Sequence, residues 1–462
     1  MLSEPPLPPS HARWRDALHA LAGRPEPLVQ IDDAATPAAS VWVGARAYVR
    51  AFREAGLRPG DRLTLALPPS VAFVQALVAA LWDGLTVVPG AADLAEEVDA
   101  RAIVAAAPGP HRWTPDGLSG PLGAPELRPT AHARTPAARF LLRTSGTSGA
   151  PSWVALSDAN VWAVLDSHRA PLALDGARVL SVLPWTHAFG LLLDLLPSLF
   201  WASEIVRSPD GGRDAGALIA LATASETTHL SMVPLTVRRL ALAPGGPELL
   251  RALQGGVVGG APLADDVAGA MRGTRLRVGY GQTEASPGVA LGRPGQAAPN
   301  LLGRELGCEV RIDADGVLAF RGPNAALGAW TPAAGLARLA PDRWVRTLDL
   351  AERRGPDLYY RGRASEAFKL DNGRFVRAGD LEARLRDGVP GVLDAVVGTP
   401  DGTGLSLDLL VRNAAWSGAA SARSALGPHA RRLRSLRLHT RDTWPTLPKG
   451  TPDRRALLTR PS

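Results

Sequence analysis

The chain has 462 residues, of which 46% are hydrophobic, and its formal net charge is +7. This length exceeds one ordinary hydrophobic core, so we expect two or three domains. A disulfide-rich secreted domain is excluded because Cys308 is the only cysteine. The positive charge is scattered and aromatic residues make up only 5%, so we expect no nucleic-acid partner and interpret the charge as an arginine-rich, solvated surface.

No targeting or membrane-spanning segment is evident in the sequence. Residues 1–10 are rich in proline and lack the basic and apolar regions of a signal peptide. The longest apolar runs, 71–82 and 190–202, are interrupted or too short to cross a bilayer. We therefore expect a cytoplasmic protein without a membrane span.

Strand-like and helix-like segments alternate through the first hundred residues. Residues 11–60 predict a helix, a short strand and a second helix over 43–55, and the next segments predict a strand over 62–67, a helix over 71–83 and a strand over 85–88. This alternation predicts a parallel sheet with helical crossovers. Residues 105–135 are rich in Pro, Gly and Ala and predict a connection dominated by loops.

The later part of the chain changes character twice. Alternation resumes over 139–305 and includes a predicted helix at 157–167. Residues 306–362 predict a small β subdomain with short strands and turns. After residue 363 the pattern restarts with short strands and two helices, 379–386 and 421–433. We therefore predict an N-terminal domain over 1–362 and a C-terminal domain over 363–462.

The most specific local motif is the segment 142–151, which reads LRTSGTSGAP. Glycines let backbone N–H groups approach an anion closely and hydroxyls add donors, so such a loop can cradle phosphates. It is not a Walker loop, because the GK[ST] ending is missing. A plain Ser/Gly linker is the alternative, but the loop follows a strand-like segment and precedes a predicted helix. The candidate phosphate-contacting residues are Thr144, Ser145, Gly146, Thr147, Ser148 and Gly149.

This loop resembles the signature of the adenylate-forming superfamily, which includes acyl-CoA synthetases, luciferases and peptide-synthetase adenylation domains. Other segments resemble further signatures in the family's order: LPWTHAFG at 183–190 (acyl pocket), GGAPL at 259–263 (adenine turn), GYGQTE at 279–284 (adenine and magnesium), WVRTLDL at 344–350 (ribose) and YRGR at 360–363 (approach to the hinge). The resemblance covers roughly residues 40–460. It implies an α/β fold: a large N-terminal domain of αβα-layered sheets with a β subdomain, and a small mobile α+β C-terminal domain.

The resemblance also implies a reaction. A fatty or aryl carboxylic acid reacts with ATP to form acyl-AMP, pyrophosphate leaves, and the acyl group passes to a thiol. CoA is the expected thiol, and the phosphopantetheine arm of an acyl carrier protein is the alternative. ATP, Mg²⁺ and CoA are the implied cofactors. A nucleotide-binding protein with little adenylation activity is the other alternative.

Four residues fit the nucleotide roles of the family. Asp349 can accept hydrogen bonds from both ribose hydroxyls, and Arg363 supplies a fixed positive charge beside the ribose or phosphates. Glu284 offers a hard oxygen ligand for Mg²⁺. Tyr280 can stack on adenine. Each alone could equally be a surface or core residue, and the ordered motifs favour the functional interpretation.

The remaining site residues follow from the resemblance. His187 is expected beside the substrate carboxylate, although an isolated histidine is more often a packed one. The expected acyl-pocket residues are Trp185, Phe189, Gly259 and Gly279, and the expected nucleotide-side residues are Gly260, Ala261, Pro262, Gly281 and Thr283.

Lysine is rare in this chain, since only two of its 51 basic residues, Lys369 and Lys449, are lysines. An arginine-favouring genome would explain the rarity but not the two positions. The family stabilises charge during adenylation with a late lysine in an ending similar to GK-x-x-R. An ungapped match places Thr451 at that lysine, and a shift of two residues places Lys449 there. We favour Lys449 because lysine is otherwise so scarce.

The resemblance implies that the C-terminal domain rotates about Glu366, a position where the family usually has Asp. One orientation presents Lys449 to ATP, and the other presents the loop from Lys369 to Gly373 to the acyl adenylate and thiol. Two further departures are Ser152, where the family usually has Lys, and Leu348, where it usually has Gly.

Overall fold

The computed structural model describes residues 9–24, 27–31, 34–108, 111–115, 127–129, 134–135, 137–144, 152–369, 375–399, 404–447 and 451–458. The strands in these ranges are β1 (Pro27–Ile31), β2 (Ala34–Pro37), β3 (Arg62–Ala66), β4 (Thr86–Pro89), β5 (Ala102–Ala105), β6 (Arg112–Trp113), β7 (Phe140–Thr144), β8 (Ser152–Leu156), β9 (Arg178–Ser181), β10 (Glu204–Arg207), β11 (Val257–Gly259), β12 (Arg277–Gly281), β13 (Gly288–Leu291), β14 (Leu301–Glu305), β15 (Glu309–Ile312), β16 (Val317–Arg321), β17 (Gly328–Thr331), β18 (Gly335–Arg338), β19 (Val345–Arg354), β20 (Asp357–Arg363), β21 (Ala367–Lys369), β22 (Phe375–Arg377), β23 (Val392–Gly398), β24 (Leu405–Val411) and β25 (Leu433–His439).

The helices are α1 (Pro9–Ala22), α2 (Ala38–Glu54), α3 (Val71–Trp82), α4 (Leu94–Glu97), α5 (Asp158–Leu172), α6 (Ala188–Gly190), α7 (Leu196–Trp201), α8 (Ala215–Ala224), α9 (Pro234–Leu242), α10 (Gly246–Ala252), α11 (Asp265–Met271), α12 (Ala378–Gly388), α13 (Ala419–Ala425) and α14 (Arg454–Leu458). A π-helix spans Leu191–Leu195, and 3₁₀ helices span Thr283–Ala285, Ala364–Glu366 and Gly427–Arg432.

Local caps explain where two of the predicted helices begin. Ser70 accepts a hydrogen bond from the Phe73 backbone N–H at 3.1 Å, which fixes the start of α3. Ser157 and Asn160 form a reciprocal capping box at the start of α5. Such caps satisfy backbone donors that a helix start leaves open. The helix predicted over 43–55 instead begins at Ala38, directly after Pro37 ends β2, and one predicted short strand is two strands, β1 and β2.

An eight-stranded sheet with the order β18-β17-β8-β7-β4-β3-β5-β6 forms the first core. Strands β3 to β7 pair in parallel, as the alternation predicted, whereas β8, β17 and β18 are antiparallel. Phe140 and Leu142 pack with α1–α3, and Leu141 between them packs on the opposite face. Successive strand residues point to opposite faces, so this apolar run is buried on both sides.

A second eight-stranded sheet, β11-β12-β13-β14-β20-β19-β16-β15, carries most of the predicted nucleotide motifs. It joins strands from before and after residue 306. The predicted β-subdomain segment is therefore shared between two sheets, because β17 pairs with β8 in the first sheet. A third sheet, β2-β1-β10-β9, places the end of β9 beside the predicted acyl segment.

The last part of the chain contains a hairpin, β21–β22, and the three-stranded sheet β23-β24-β25. Helices α12 and α13 cover one face of this sheet. The single helix predicted over 421–433 is wrong: α13 ends at Ala425, a 3₁₀ turn follows, and β25 begins at Leu433. Gly427 has φ +54°, a left-handed conformation that ends the helix, and Pro428 follows it.

Candidate active site

Two glycine-bearing strands lie side by side near the edge of the second sheet. Gly259 ends β11 and is the register partner of Gly279 in the parallel strand β12. A Cβ on Gly259 would lie 2.6 Å from the carbonyl oxygen of Gly279, and a Cβ on Gly279 would lie 2.5 Å from Cγ1 of Val257. Both positions therefore need glycine. Gly260 follows with φ +84°, so the turn after β11 also depends on glycine.

A carboxylate on β19, a guanidinium on the adjacent strand β20 and a phenol on the more distant strand β12 meet on this sheet. The Tyr280 hydroxyl donates to Oδ2 of Asp349 at 2.8 Å. Arg363, the register partner of Asp349, places Nε 3.0 Å from Oδ1. The Asp349 backbone N–H donates to the hydroxyl of Thr347 at 3.0 Å, which fixes the strand locally. A carboxylate has about four acceptor positions, so Asp349 keeps capacity for a pair of ligand hydroxyls.

The phenol in this cluster stays neutral. Burial and the adjacent carboxylate of Asp349 raise the pKa of Tyr280 well above its ordinary value. Tyr280 therefore acts as a hydrogen-bond donor at neutral pH and holds Asp349 in one orientation. The sequence suggested only that the Tyr280 ring could stack on a base, and gave no signal for this hydrogen bond.

Glu284 lies on the 3₁₀ turn that follows β12. Gly281 precedes this turn, and a Cβ there would overlap the carbonyl oxygen of Pro287. The chain therefore passes too close to itself for any other residue. Glu284 is half-buried, and burial raises the pKa of its carboxyl, although Arg363 opposes the shift. Binding of a cation would offset this desolvation of the charged carboxylate.

The predicted phosphate loop lies between β7 and β8 in the sequence. Residues 145–151, including Ser145, Gly146, Thr147, Ser148 and Gly149, lie outside the described residues. Thr144 ends β7, and its hydroxyl is 2.8 Å from that of Ser152, the first residue of β8. Strand β8 also contacts the 3₁₀ turn at 283–285. The strand that follows the loop and the turn that carries Glu284 are thus in contact.

The predicted acyl segment forms a tight turn from β9 into the π-helix. His187 is exposed and Phe189 is half-buried, whereas Trp185 is only 1% exposed. A Cβ on Gly190 would lie 2.2 Å from the carbonyl oxygen of Pro184, so the turn can close only with glycine there. The structure therefore places His187 and Phe189 at the surface of the turn and Trp185 in the core behind it.

A buried polar network that the sequence did not reveal lies beneath this turn. The hydroxyl of Ser181 donates to Oδ2 of Asp194 at 2.6 Å and receives the indole N–H of Trp185 at 3.0 Å. Arg207 donates to the Ser181 hydroxyl at 3.2 Å and to the Leu183 carbonyl at 2.7 Å. Burial raises the pKa of Asp194 to about 7, and the Ser181 hydrogen bond and the Arg207 charge oppose that shift.

The predicted hinge residue contacts the last described helix. Arg454 at the start of α14 lies 3.6 Å from Oε1 of Glu366 and 2.6 Å from Oε1 of Glu382. It also donates to the Val397 carbonyl at 2.8 Å. Burial raises the pKa of Glu382, whereas the charge of Arg454 lowers it. Arg454 thus ties the hinge segment to the C-terminal sheet.

The two predicted lysines lie at or beyond the edge of the described residues. Lys369 ends β21, and Gly373 lies outside the described residues. Lys449 also lies outside them, but its flanks are defined: the backbone N–H of Leu447 donates to the Thr451 carbonyl at 2.8 Å. In the sequence, Lys449 is therefore the middle one of the three residues between Leu447 and Thr451, which are hydrogen-bonded to each other.

Several predicted residues come together in the second sheet and its turns: Gly259, Gly260, Ala261 and Pro262 at or after the end of β11, Gly279, Tyr280, Gly281, Thr283 and Glu284 on or after β12, and Asp349 and Arg363 on β19 and β20.

Among the described residues, no group of three His, Cys, Asp or Glu side chains is arranged to hold a metal ion unaided. In the same part of the chain, no helix is long and apolar enough to cross a membrane.

Comparison with known sequences identifies relatives. A family described as AMP-binding enzyme matches residues 100–330. Feruloyl-CoA synthase from Amycolatopsis sp is 26% identical over 384 residues, covering 76% of this chain and 78% of that protein. Anthranilate–CoA ligase from Pseudomonas aeruginosa is 28% identical over 396 residues, covering 74% of each chain.

Comparison with solved structures supports the fold. The amide bond synthetase McbA from Marinactinospora thermotolerans superposes with a TM-score of 0.79 at 21% identity. The match covers 98% of this chain and 99% of that one. The two chains therefore share the fold predicted for the adenylate-forming superfamily.

Proposed function

The chain belongs to the AMP-binding enzyme family, and from that premise we propose how its residues activate an acid. The reaction is ATP-dependent activation of a carboxylic acid to an acyl adenylate with release of pyrophosphate, followed by ligation to CoA. The protein is an acid–thiol ligase of the AMP-forming type. The observation that carries the site assignment is the cluster of Asp349, Tyr280 and Arg363 beside Glu284.

We assign the ribose to Asp349. Its carboxylate is 8% exposed, so only a ligand that replaces its lost water contacts restores full hydrogen bonding. Tyr280 holds the carboxylate from one side and Arg363 balances its charge from the other. The adenine base would then lie between two segments, the turn from Gly260 to Pro262 and the segment from Gly281 to Thr283.

We assign Mg²⁺ to Glu284. Mg²⁺ in nucleotide sites is usually held by one or two protein carboxylates plus substrate phosphates. A half-buried carboxylate on a turn that contacts β8, the strand after the predicted phosphate loop, fits that pattern. The bound ion would neutralise charge on the phosphates. Thr144 and the loop 145–149 would hold the phosphates themselves.

We propose an aryl acid as the substrate class, since two relatives are named for aryl acids. His187 would contact the carboxylate and Phe189 the ring, because both reach the surface of the acyl turn. Gly259 and Gly279 would let β11 and β12 pack closely and so hold the turn that follows β11 in place.

The C-terminal segment, 363–462, would act in both half-reactions. Lys449 would place a compact positive charge at the α-phosphate during adenylation, where such charge stabilises the transition state. Rotation about Glu366 would then bring the loop from Lys369 to Gly373 to the thiol. A carrier-protein phosphopantetheine remains the alternative acceptor.

ATP–pyrophosphate exchange with Mg²⁺ and without CoA, over a panel of aryl and fatty acids, tests this function. Exchange with aryl acids only is the expected result. Exchange confined to fatty acids would overturn the substrate class, and no exchange with any acid would overturn the activity. Thioester formation with CoA or with a holo carrier protein then distinguishes the two acceptors.

A variant of the metal ligand sharpens this test. Glu284→Gln should shift the Mg²⁺ concentration for half-maximal exchange upward by about tenfold or more, since it removes the charged oxygen ligand. Glu309→Gln is the matched control, because Glu309 lies on β15 of the same sheet and is paired with Arg321 at its surface. An unchanged Mg²⁺ requirement in Glu284→Gln would exclude Glu284 as the ligand.

A further inference from the structure

The network beneath the acyl turn is saturated at its centre. A serine hydroxyl has one donor and two acceptor positions. Ser181 uses all three: it accepts from Trp185 and Arg207, which are donors only, so its single proton is committed to Asp194. The orientation of each group is thus determined by the others. Networks of this kind hold a unique conformation when every member is satisfied.

The network reaches the backbone at the end of β9 and at the start of the acyl turn. Arg207 donates to the carbonyls of Ser181 and Leu183, at 3.2 and 2.7 Å. The indole of Trp185 lies 5.3 Å from the Arg207 guanidinium and packs on Phe73 with ring centroids 5.5 Å apart. The segment 181–185, which leads directly into His187, is therefore fixed from below by side chains of two other elements.

Asp194 enters this network through the π-helix. The wider turn of a π-helix changes which residues face a neighbouring strand, and such turns are frequent at functional sites. Asp194 is 2% exposed in an otherwise apolar run, LLLDLL, and its backbone carbonyl accepts from Ser198 at 2.5 Å. Burial of an ionisable group among leucines costs free energy unless the group is hydrogen-bonded.

We propose that Asp194 is a positioning residue for acid binding: through Ser181, Trp185 and Arg207 it sets the orientation of the turn that presents His187 and Phe189. This proposal rests on the assignment of that turn to the acid. It also gives Trp185 a supporting role behind the pocket in place of one at its surface, in agreement with its 1% exposure.

Kinetics of three variants in the exchange assay test the proposal. Asp194→Ala removes the acceptor of Ser181 and should raise KM for the acid by about tenfold, the equivalent of one lost hydrogen bond, with KM for ATP within about twofold of wild type. Asp194→Asn retains an acceptor oxygen and should restore KM for the acid to within about threefold. Ser181→Ala, a milder change to the core, should reproduce the effect of Asp194→Ala.

The matched control is Ser198→Ala, which removes a buried hydroxyl bonded to the backbone of Asp194 outside the side-chain network. It should leave both KM values near wild type. Equal increases in KM for acid and ATP, or an unchanged KM for the acid in Ser181→Ala, would overturn the positioning role. Wild-type exchange with aryl acids is measured first, so loss of the proposed function is distinguished from loss of this inference.

Discussion

Replacement of Asp349 by alanine tests the nucleotide site most directly. Two hydrogen bonds from ribose hydroxyls to a carboxylate contribute about 1.5 kcal/mol each at the lower end for charged acceptors, or about 3 kcal/mol together. Their loss should raise Kd for ATP by about two orders of magnitude. Tyr280 would also lose the acceptor of its hydroxyl, so we expect some loss of thermal stability.

Asp357→Ala is a closely matched control. Asp357 lies on the same sheet, is 10% exposed, and accepts from Gln296 at 2.7 Å and from Arg304 at 2.9 Å. It therefore loses one neutral donor and one arginine, as Asp349 does, without a role at the nucleotide. We expect a comparable loss of stability but an unchanged Kd for ATP.

Calorimetric titration with ATP and with 2′-deoxy-ATP separates ribose recognition from general damage. The wild-type protein should bind the deoxy nucleotide about tenfold or more weakly, because one hydroxyl is missing. Asp349→Ala should bind the two nucleotides equally. If this variant still discriminates between them as the wild type does, or binds ATP within about threefold of wild type, the ribose assignment is refuted.

Three further results are expected. Lys449→Ala should abolish ATP–pyrophosphate exchange and leave Kd for ATP nearly unchanged, whereas Thr451→Ala should keep exchange near wild type; the opposite pattern would show that Thr451 occupies the functional position. Arg454→Leu should lower the free energy of unfolding of the C-terminal segment by about 3–5 kcal/mol in urea titrations, because Glu382 would stay buried without its charge partner; a change under about 1 kcal/mol would contradict this. Burial raises the pKa of Asp194 from 3.8 to about 7, so between these two pH values the folded protein keeps a proton there that the unfolded chain has released. The contribution of this proton to the free energy of unfolding is therefore complete below about pH 4 and is lost as pH rises through 7. The free energy of unfolding relative to Asp194→Asn should fall by up to about 1.4 kcal/mol per pH unit in that range, and a pH-independent difference would exclude the shift.

The sequence indicated candidate residues for the nucleotide site but not how they are arranged in space. Asp349, Tyr280 and Glu284 were identifiable because each stands in a motif whose neighbours are close along the chain. That Tyr280 donates to Asp349 could not be predicted, since the two residues are 69 positions apart. Their contact depends on the strand order β12-β13-β14-β20-β19, which no local pattern specifies.

Errors in the prediction have the same origin. Residues 421–433 have the composition of a helix, but the left-handed Gly427 and the pairing of Leu433 with Leu405 in β24 divide the segment into a helix and a strand. Asp194 resembled an interruption of an apolar run and gave no functional signal. Its meaning appears only when β9 and β10 bring Ser181 and Arg207 to it.

The sequence by itself determined the family, the order of the motifs and the glycines on which tight turns depend, because backbone freedom and hydroxyl or carboxylate chemistry are properties of single residues and their close neighbours. The tertiary structure decided which of these residues meet: Arg363 beside Asp349, Arg454 on Glu366 and Glu382, and Trp185 behind the acyl turn. Such contacts follow from sheet register and core packing, which depend on all the strands of a sheet together.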